Sequence, residues 1–233
     1  CARGIMNRKI RIAFLIDTIN SIGGTEKQLL SLMASLPQER FEKHLISLRP
    51  PNAYFMQQDD CYDYHQIGIP SLLSAQCIGR IIELVRYLRQ RRIDIVQTYF
   101  IDAQFVGILA GKLAGVKKIV CCRRDLGFWH SRSLLMLLRL SDRLVDHFQV
   151  NSQAVKRQVA SDELVDPGRI HVIYNGIEIG LFNGRAETGY APDVSGENKN
   201  PLRVGILANF NRRVKRVDLF IRAASEVLKT VPG

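Results

Sequence analysis

From Ile10 to Tyr174, short apolar runs alternate with longer segments whose apolar residues recur every three or four positions, and this alternation most constrains the fold. Strands buried on both faces read as continuous apolar runs, whereas helices lying on a sheet show the 3.6-residue period. The pattern predicts strands at Ile10–Ile16, His44–Leu48, Tyr64–Ile67, Ile93–Tyr99, Lys118–Cys122, Val145–Val150 and His171–Tyr174. It predicts helices at Thr25–Leu36, Ser74–Arg92, Ala103–Ala114, Ser131–Leu140 and Ser152–Ala160. The expected fold class is therefore α/β, a Rossmann-like, doubly wound and mostly parallel sheet covered on both faces. Ligands bind such sheets beyond the carboxyl ends of the strands, which brings Asp17 to Gly24, Tyr99 to Asp102 and Arg123 to Gly127 to one edge.

Gly23 and Gly24 sit between the first strand and the first helix. Without Cβ atoms they can take positive φ and admit a ligand close to the backbone, while the helix opening near Thr25 presents unpaired N–H groups and its positive dipole end. Gly23, Gly24 and Thr25 are thus candidates to hold a phosphate; the alternative is a glycine-bearing βα turn without a ligand. The run Gly23-Gly24-Thr25-Glu26 has no third glycine and no following Lys-Ser/Thr, which argues against a dinucleotide dehydrogenase and a P-loop NTPase.

An apolar fraction of 46% over 233 residues allows a substantial core. The longest greasy stretch, Leu134 to Leu140, is interrupted by Arg139 and falls far short of a membrane span. The lead before Met6 has no secretory pattern, so translation is expected to begin at Met6. The five cysteines include the adjacent Cys121 and Cys122 inside a strand, which reads as small core hydrophobes in a reducing cytoplasm rather than a disulfide framework. His44, His65, His130, His147 and His171 show no metal-ligand spacing, and no metal is expected.

The formal charge of +11 favours anionic partners: nucleotides, phosphorylated lipids, membrane surfaces or nucleic acid. Between Arg80 and Arg132 there are eleven Lys/Arg against four Asp/Glu, much of it in the helical stretch Ile78 to Arg92. That stretch reads either as a solvated face or as a membrane-surface element, and weak, salt-sensitive binding to anionic membranes is expected. An RNP-like aromatic strand, a zinc knuckle and a helix-turn-helix pairing are not seen, so no nucleic-acid partner is expected.

From Ile177 to Pro201 the periodic pattern gives way to turn and linker chemistry: Asn183-Gly184, Gly189, Pro192, Gly196 and Glu197-Asn198-Lys199-Asn200. Residues 8–176 are expected to form an N-terminal domain, 177–201 an interdomain linker and 202–233 the opening of a second domain, with a strand at Leu202–Leu207 and a helix at Val214–Leu228. One strand and one helix cannot bury a core, so this second domain is expected to be truncated.

Several motifs in order resemble the family 4 glycosyltransferases of the GT-B fold, which set two Rossmann-like domains across a cleft. They are Ile12-Ala13-Phe14-Leu15-Ile16 with Gly23-Gly24-Thr25-Glu26, Asp94-Ile95-Val96-Gln97-Thr98, and Asn151-Ser152-Gln153-Ala154-Val155-Lys156. Val172-Ile173-Tyr174-Asn175-Gly176-Ile177, Val204-Gly205-Ile206-Leu207 and Lys215-Arg216-Val217-Asp218 complete the set. The resemblance runs from about Lys9 to the end and implies an acceptor-binding first domain and a second domain that binds most of a nucleotide sugar. It implies that Gly23 and Gly24 meet the donor diphosphate and that Lys215 holds it as a point charge. The family often places an arginine five residues before this lysine; here that position is Phe210, and Arg212 and Arg213 are the nearby candidates for its role.

Many members carry His-Asp after the fifth strand, where this chain has Cys122-Arg123-Arg124-Asp125. Arg124 stands in the histidine's place, and an arginine stays protonated and cannot serve as a base. Arg124 and Asp125 are therefore candidates to position substrate, against the alternative that Arg123 and Arg124 form ion pairs with Asp125 or a neighbour. Phe128 and Trp129 are candidates for an acceptor pocket or for core packing, and Ser133 to Leu140 reads as a buried helix with a lipid-acceptor contact as the alternative.

The resemblance implies retaining transfer of a sugar, a hexosyl group, from a nucleotide diphosphate sugar to the hydroxyl of a glycan or lipid-linked acceptor. The donor is a substrate and no cofactor is expected. The protein is expected in the cytoplasm, peripheral to the inner membrane face. The family's second-domain glutamate pair would lie beyond Gly233, so the chain by itself is expected to be inactive. Rival readings are a GT-B nucleotide-sugar epimerase or phosphorylase, and a basic, non-catalytic nucleic-acid-binding module.

Overall fold

A computed structural model describes residues 8–19, 23–51, 61–177, 204–208 and 215–230. The chain divides into two compact units, Cys1–Ile177 and Glu178–Gly233. In the first, β1 (Ile10–Ile16), α1 (Gly24–Ser35), β2 (Phe41–Ser47) and β3 (Asp63–Gln66) precede α2 (Gln76–Gln90) and β4 (Ile95–Tyr99). Then follow α3 (Ile101–Ala114), β5 (Lys118–Arg123), α4 (Arg132–Ser141), β6 (His147–Val150), α5 (Gln153–Asp162) and β7 (Ile170–Val172). The seven strands form one sheet in the order β3-β2-β1-β4-β5-β6-β7, and every pairing is parallel. Strand order reverses between β1 and β4, which makes the carboxyl ends of these two strands the switch point of the sheet.

Side chains alternate across the pleat and feed three cores. Ala13, Leu15 and Val96 meet Leu84 and Leu88 of α2 and Val106 and Ala110 of α3 on one face. The same face continues through Ile119, Cys121, Phe148 and Val150 against Val155 and Val159 of α5. Ile12, Phe14, Ile16, Tyr99 and Cys122 point the other way, against Leu29 and Met33 of α1. The adjacent cysteines thus serve opposite faces, and burial pushes the Cys121 thiol up to about 12 and raises that of Cys122, so both stay protonated. Gly107 of α3 lets the helix lie close to β4, since a Cβ there would meet Thr98 Cγ2 at 2.5 Å.

β2 starts three residues before the predicted His44, because its polar opening finds partners inside the fold. Glu42 accepts from Arg11 Nε at 2.9 Å, and the buried Lys43 ammonium donates to the carbonyls of Met33 and Leu36 at 2.8 and 3.1 Å, which closes the end of α1. α4 and α5 begin where serines cap them: Ser131 Oγ accepts from Leu134 N and Ser152 Oγ from Val155 N, each at 3.2 Å.

Burial corrects two expectations. The helix read as buried over Ser133 to Leu140 has Leu138 as its one buried residue. Phe128 and Trp129 are 76% and 59% exposed, so neither belongs to the core. In the second unit, residues 204–208 form no strand; no neighbouring strand among the described residues offers them a ladder. Leu202 and Arg203 of the expected strand lie outside the described residues, as does residues 178–201 of the expected linker. α6 (Val217–Thr230) follows, with none of its residues buried. No described helix is long and apolar enough to cross a membrane.

Candidate functional site

The carboxyl edge of the sheet gathers polar groups from six strands. After β1, Asp17 accepts the Ala103 backbone N–H at 2.6 Å, and its carbonyl accepts the Arg49 N–H at 2.9 Å. Burial pushes the Asp17 carboxyl up to about 6; the Ala103 N–H opposes that shift and the Asp102 charge adds to it. Asp102 is itself ion-paired with Arg49. Between β4 and α3, Phe100 holds φ 68° and ψ 171°, a conformation that costs a non-glycine residue about 1–3 kcal/mol. This strained residue stands at the switch point beside Asp17, where backbone strain clusters with function.

On the other half of the edge, Arg124 Nη2 donates to Asn175 Oδ1, and the Arg124 carbonyl accepts from Asn151 Nδ2 at 3.0 Å. Gly176, next to Asn175, is gripped by Gln28 of α1: Gln28 Nε2 donates to its carbonyl at 2.7 Å and its N–H donates to Gln28 Oε1 at 3.1 Å. The ends of β5 and β6, the segment after β7 and the first turns of α1 are thus linked in one hydrogen-bonded chain. Asn151 Oδ1, buried within it, has no hydrogen-bond partner among the described residues.

The Gly-Gly turn differs from the expected geometry. Gly23 caps α1 in extended backbone, φ −75° and ψ 141°, and Gly24 is the first helical residue, so neither adopts positive φ. Gly23 is needed for space. A Cβ there would overlap the carboxylate of Glu26, which folds back over the turn at the third helical position, where a capping-box glutamate sits. Gly24 is exposed, and nothing lies within 4 Å of where its Cβ would be. Thr25 follows it in the same first turn, where backbone N–H groups have no intrahelical partner.

The two neighbouring arginines separate. Arg123 is buried, bonded to Glu163, Asp142 and Gln104, and is a packing residue of the core. Arg124 pairs with an asparagine rather than with a carboxylate and stays at the edge. Asp125 turns back on its own loop, accepting from Gly127 N at 2.9 Å, and is exposed. Lys215 is exposed in the second unit, two residues before α6. Arg212 and Arg213 lie outside the described residues. Gln28 and Asn175 were not singled out as site residues in the sequence, because their contacts join positions 148 and 51 residues apart. Among the described residues no group of three or more His, Cys, Asp or Glu side chains could hold a metal.

This switch-point edge on a wholly parallel, doubly wound sheet defines a Rossmann-like domain of the GT-B type. The sequence model of Glycosyltransferase Family 4 matches residues 22–181, and the chain belongs to that family. Among solved structures, the chain is similar to Anabaena HepE in complex with UDP and glucose (TM-score 0.59, 20% identity, 74% of this chain and 46% of that one). It is similar to the lipopolysaccharide outer core galactosyltransferase WaaB (0.56, 18%, 73% and 47%). It is also similar to the UDP-GlcNAc 2-epimerase of Methanocaldococcus jannaschii (0.52, 15%, 71% and 46%). The chain therefore spans about half the length of these structures. No curated protein matches it by sequence.

Proposed function

We propose that this chain is the acceptor-side half of a retaining glycosyltransferase that moves a hexosyl group from a nucleotide diphosphate sugar to a hydroxyl of a glycan or lipid-linked acceptor. The observation that carries this reading is the open backbone at Gly24, at the start of α1, tied through Gln28 to Gly176 and onward to Arg124. Unpaired N–H groups of that first turn, with Gly23, Gly24 and Thr25, meet the donor diphosphate; Lys215, with Arg212 and Arg213, holds it from the second domain. These fixed charges and dipoles stabilise the diphosphate as it departs. Arg124 positions the donor or acceptor beside the reacting carbon with Asp125 in the same loop, and Asp17, whose carboxyl burial raises to about 6, stands on the same edge of the sheet. The donor is a substrate and no cofactor takes part. The same reading puts the protein in the cytoplasm, peripheral to the inner membrane face.

The test uses a full-length protein that contains this chain. Gly24→Val fills the open space in front of the turn and is expected to abolish transfer with the circular-dichroism spectrum unchanged, because no neighbour is displaced. Lys215→Ala is expected to weaken donor binding. A folded Gly24→Val enzyme with near-normal transfer would show that the turn is only a structural corner. The fold is shared with an epimerase, so product analysis has to find a new glycosidic bond rather than an epimerised nucleotide sugar.

A further inference from the structure

β6 and β7 run parallel, with Phe148 opposite Ile170 and Gln149 opposite His171. Side chains alternate along each strand, so Phe148, Val150 and Ile170 enter the core beside α5 while His147 and His171 share the other face. There the two rings converge: His147 Nδ1 lies 3.1 Å from His171 Nε2, with the ring centroids 5.2 Å apart. Among the described residues each ring has the other as its one hydrogen-bond partner. Asp146, the carboxylate next to His147 in the chain, is spent on Lys118 Nζ at 3.3 Å and on the Ile119 N–H at 2.9 Å. The two histidines are 24 residues apart and show no ligand spacing in the sequence; the register of the last two strands of the sheet brings them together.

We propose that His147 and His171 form a two-imidazole site for a late first-row transition-metal dication, of the nickel, copper and zinc class, which clamps β7 to β6. Ring nitrogens 3.1 Å apart have the bite such an ion needs. An ion about 2.0–2.1 Å from both nitrogens sees them at an angle of about 100°. That lies between the right angle of a square or octahedral site and the wider angle of a tetrahedral one. The donors select the ion: imidazole nitrogens without a carboxylate suit these metals and give calcium or magnesium, which require oxygen, nothing to hold. The ring that donates the N–H between the pair moves that hydrogen to its other nitrogen, so both lone pairs face the ion without net loss of a proton. No third His, Cys, Asp or Glu joins the pair among the described residues, so water completes the coordination. β7 is a three-residue edge strand, and the segment after it delivers Asn175 to Arg124 and Gly176 to Gln28. A metal bridge from β6 to β7 steadies that segment, and it does so whether or not the protein transfers sugar.

The chain, free of any histidine tag, is titrated with Ni²⁺ while the ring signals of its five histidines are followed by NMR. The signals of His147 and His171 are expected to broaden first and together, ahead of His44, His65 and His130. Calorimetry with Ni²⁺ and with Zn²⁺ gives the affinity. His147→Gln and His171→Gln are each expected to weaken it by roughly a hundredfold, the gain that joining two donors in one site provides, with circular dichroism unchanged because neither ring belongs to the core. Excess Mg²⁺ is expected to leave the binding in place. Zn²⁺ is expected to slow hydrogen exchange of the Ile173 amide, which donates to the Val150 carbonyl at 2.8 Å just beyond β7, in the parent and in neither variant. Broadening of one ring without the other, broadening spread evenly over all five histidines, or a variant that binds as tightly as the parent would overturn the site. Exchange at Ile173 unchanged by saturating Zn²⁺ would overturn the clamp.

Discussion

Arg123 brings one positive charge into a buried space shared with two carboxylates. Burial works against its charge, but Glu163 and Asp142 outweigh that and raise its pKa. One cation cannot neutralise two anions in a dry interior. Burial would raise the Glu163 carboxyl as well, yet Arg123, touching it at 2.7 to 3.0 Å, pulls it below its usual range. Asp142 is left with the weaker share: burial, reinforced by the Glu163 charge, pushes it up to about 8 against the pull of Arg123. Folded protein then keeps on Asp142 a proton that the unfolded chain releases near pH 4, so stability contributed by this group falls as pH rises from about 4 to about 8. Asp142→Asn keeps an acceptor for Arg123 and Gln104 without the charge. Urea unfolding between pH 5 and 8 should show the parent losing stability relative to this variant; parallel curves would mean that Asp142 is ionised throughout. Sequence alone could place Arg123 and Arg124 on opposite faces, since neighbours on a strand alternate. Which of them faces inward depends on Asp142 and Glu163, 19 and 40 residues away, and no local pattern announces that.

Elements were legible where burial on both faces wrote the pattern into the chain, as in β1, whose observed ends coincide with the apolar run Ile10–Ile16. α4 shows where that reading fails. Leu134, Leu135, Leu137, Leu138 and Leu140 with Met136 are apolar nearly all round the helix, which reads as burial, yet Leu138 alone is buried. The start of α1 was legible as a strand-turn-helix corner, but its glycine was credited to backbone freedom when the cause is the Glu26 carboxylate lying against it. The grip of α1 on the segment after β7 gives a test at this scale. Gln28→Ala removes two exposed hydrogen bonds, each contributing about 0.5–1.5 kcal/mol, and should speed exchange of the Gly176 amide while leaving the β1 amides protected. Unchanged exchange at Gly176 would show that Asn175 and its neighbours are held by Arg124 alone.

At the scale of the molecule the described helices of the two units differ in how much surface they bury. α3 places seven of its residues inside the first unit, whereas α6 buries none and leaves Leu219, Ile221, Val227 and Leu228 in solvent. A fourteen-residue helix without a packed face is marginal in water. Hydrogen exchange should therefore find α6 much less protected than α3, and uniform protection across both would mean that the second unit has a core of its own.

The central place of β1 carries a cost in time. Arg11 meets its partner Asp94 across 83 residues of chain, and the whole β1–β4 ladder has that span. On a ribosome adding 5–20 residues per second, the open edge of β1 waits roughly 4 to 17 seconds for the strand that will cover it. Its sequence, Ile-Arg-Ile-Ala-Phe-Leu-Ile, is the kind that pairs readily with foreign strands. The strand that organises the finished sheet is thus the segment that most needs shielding while the protein is being made.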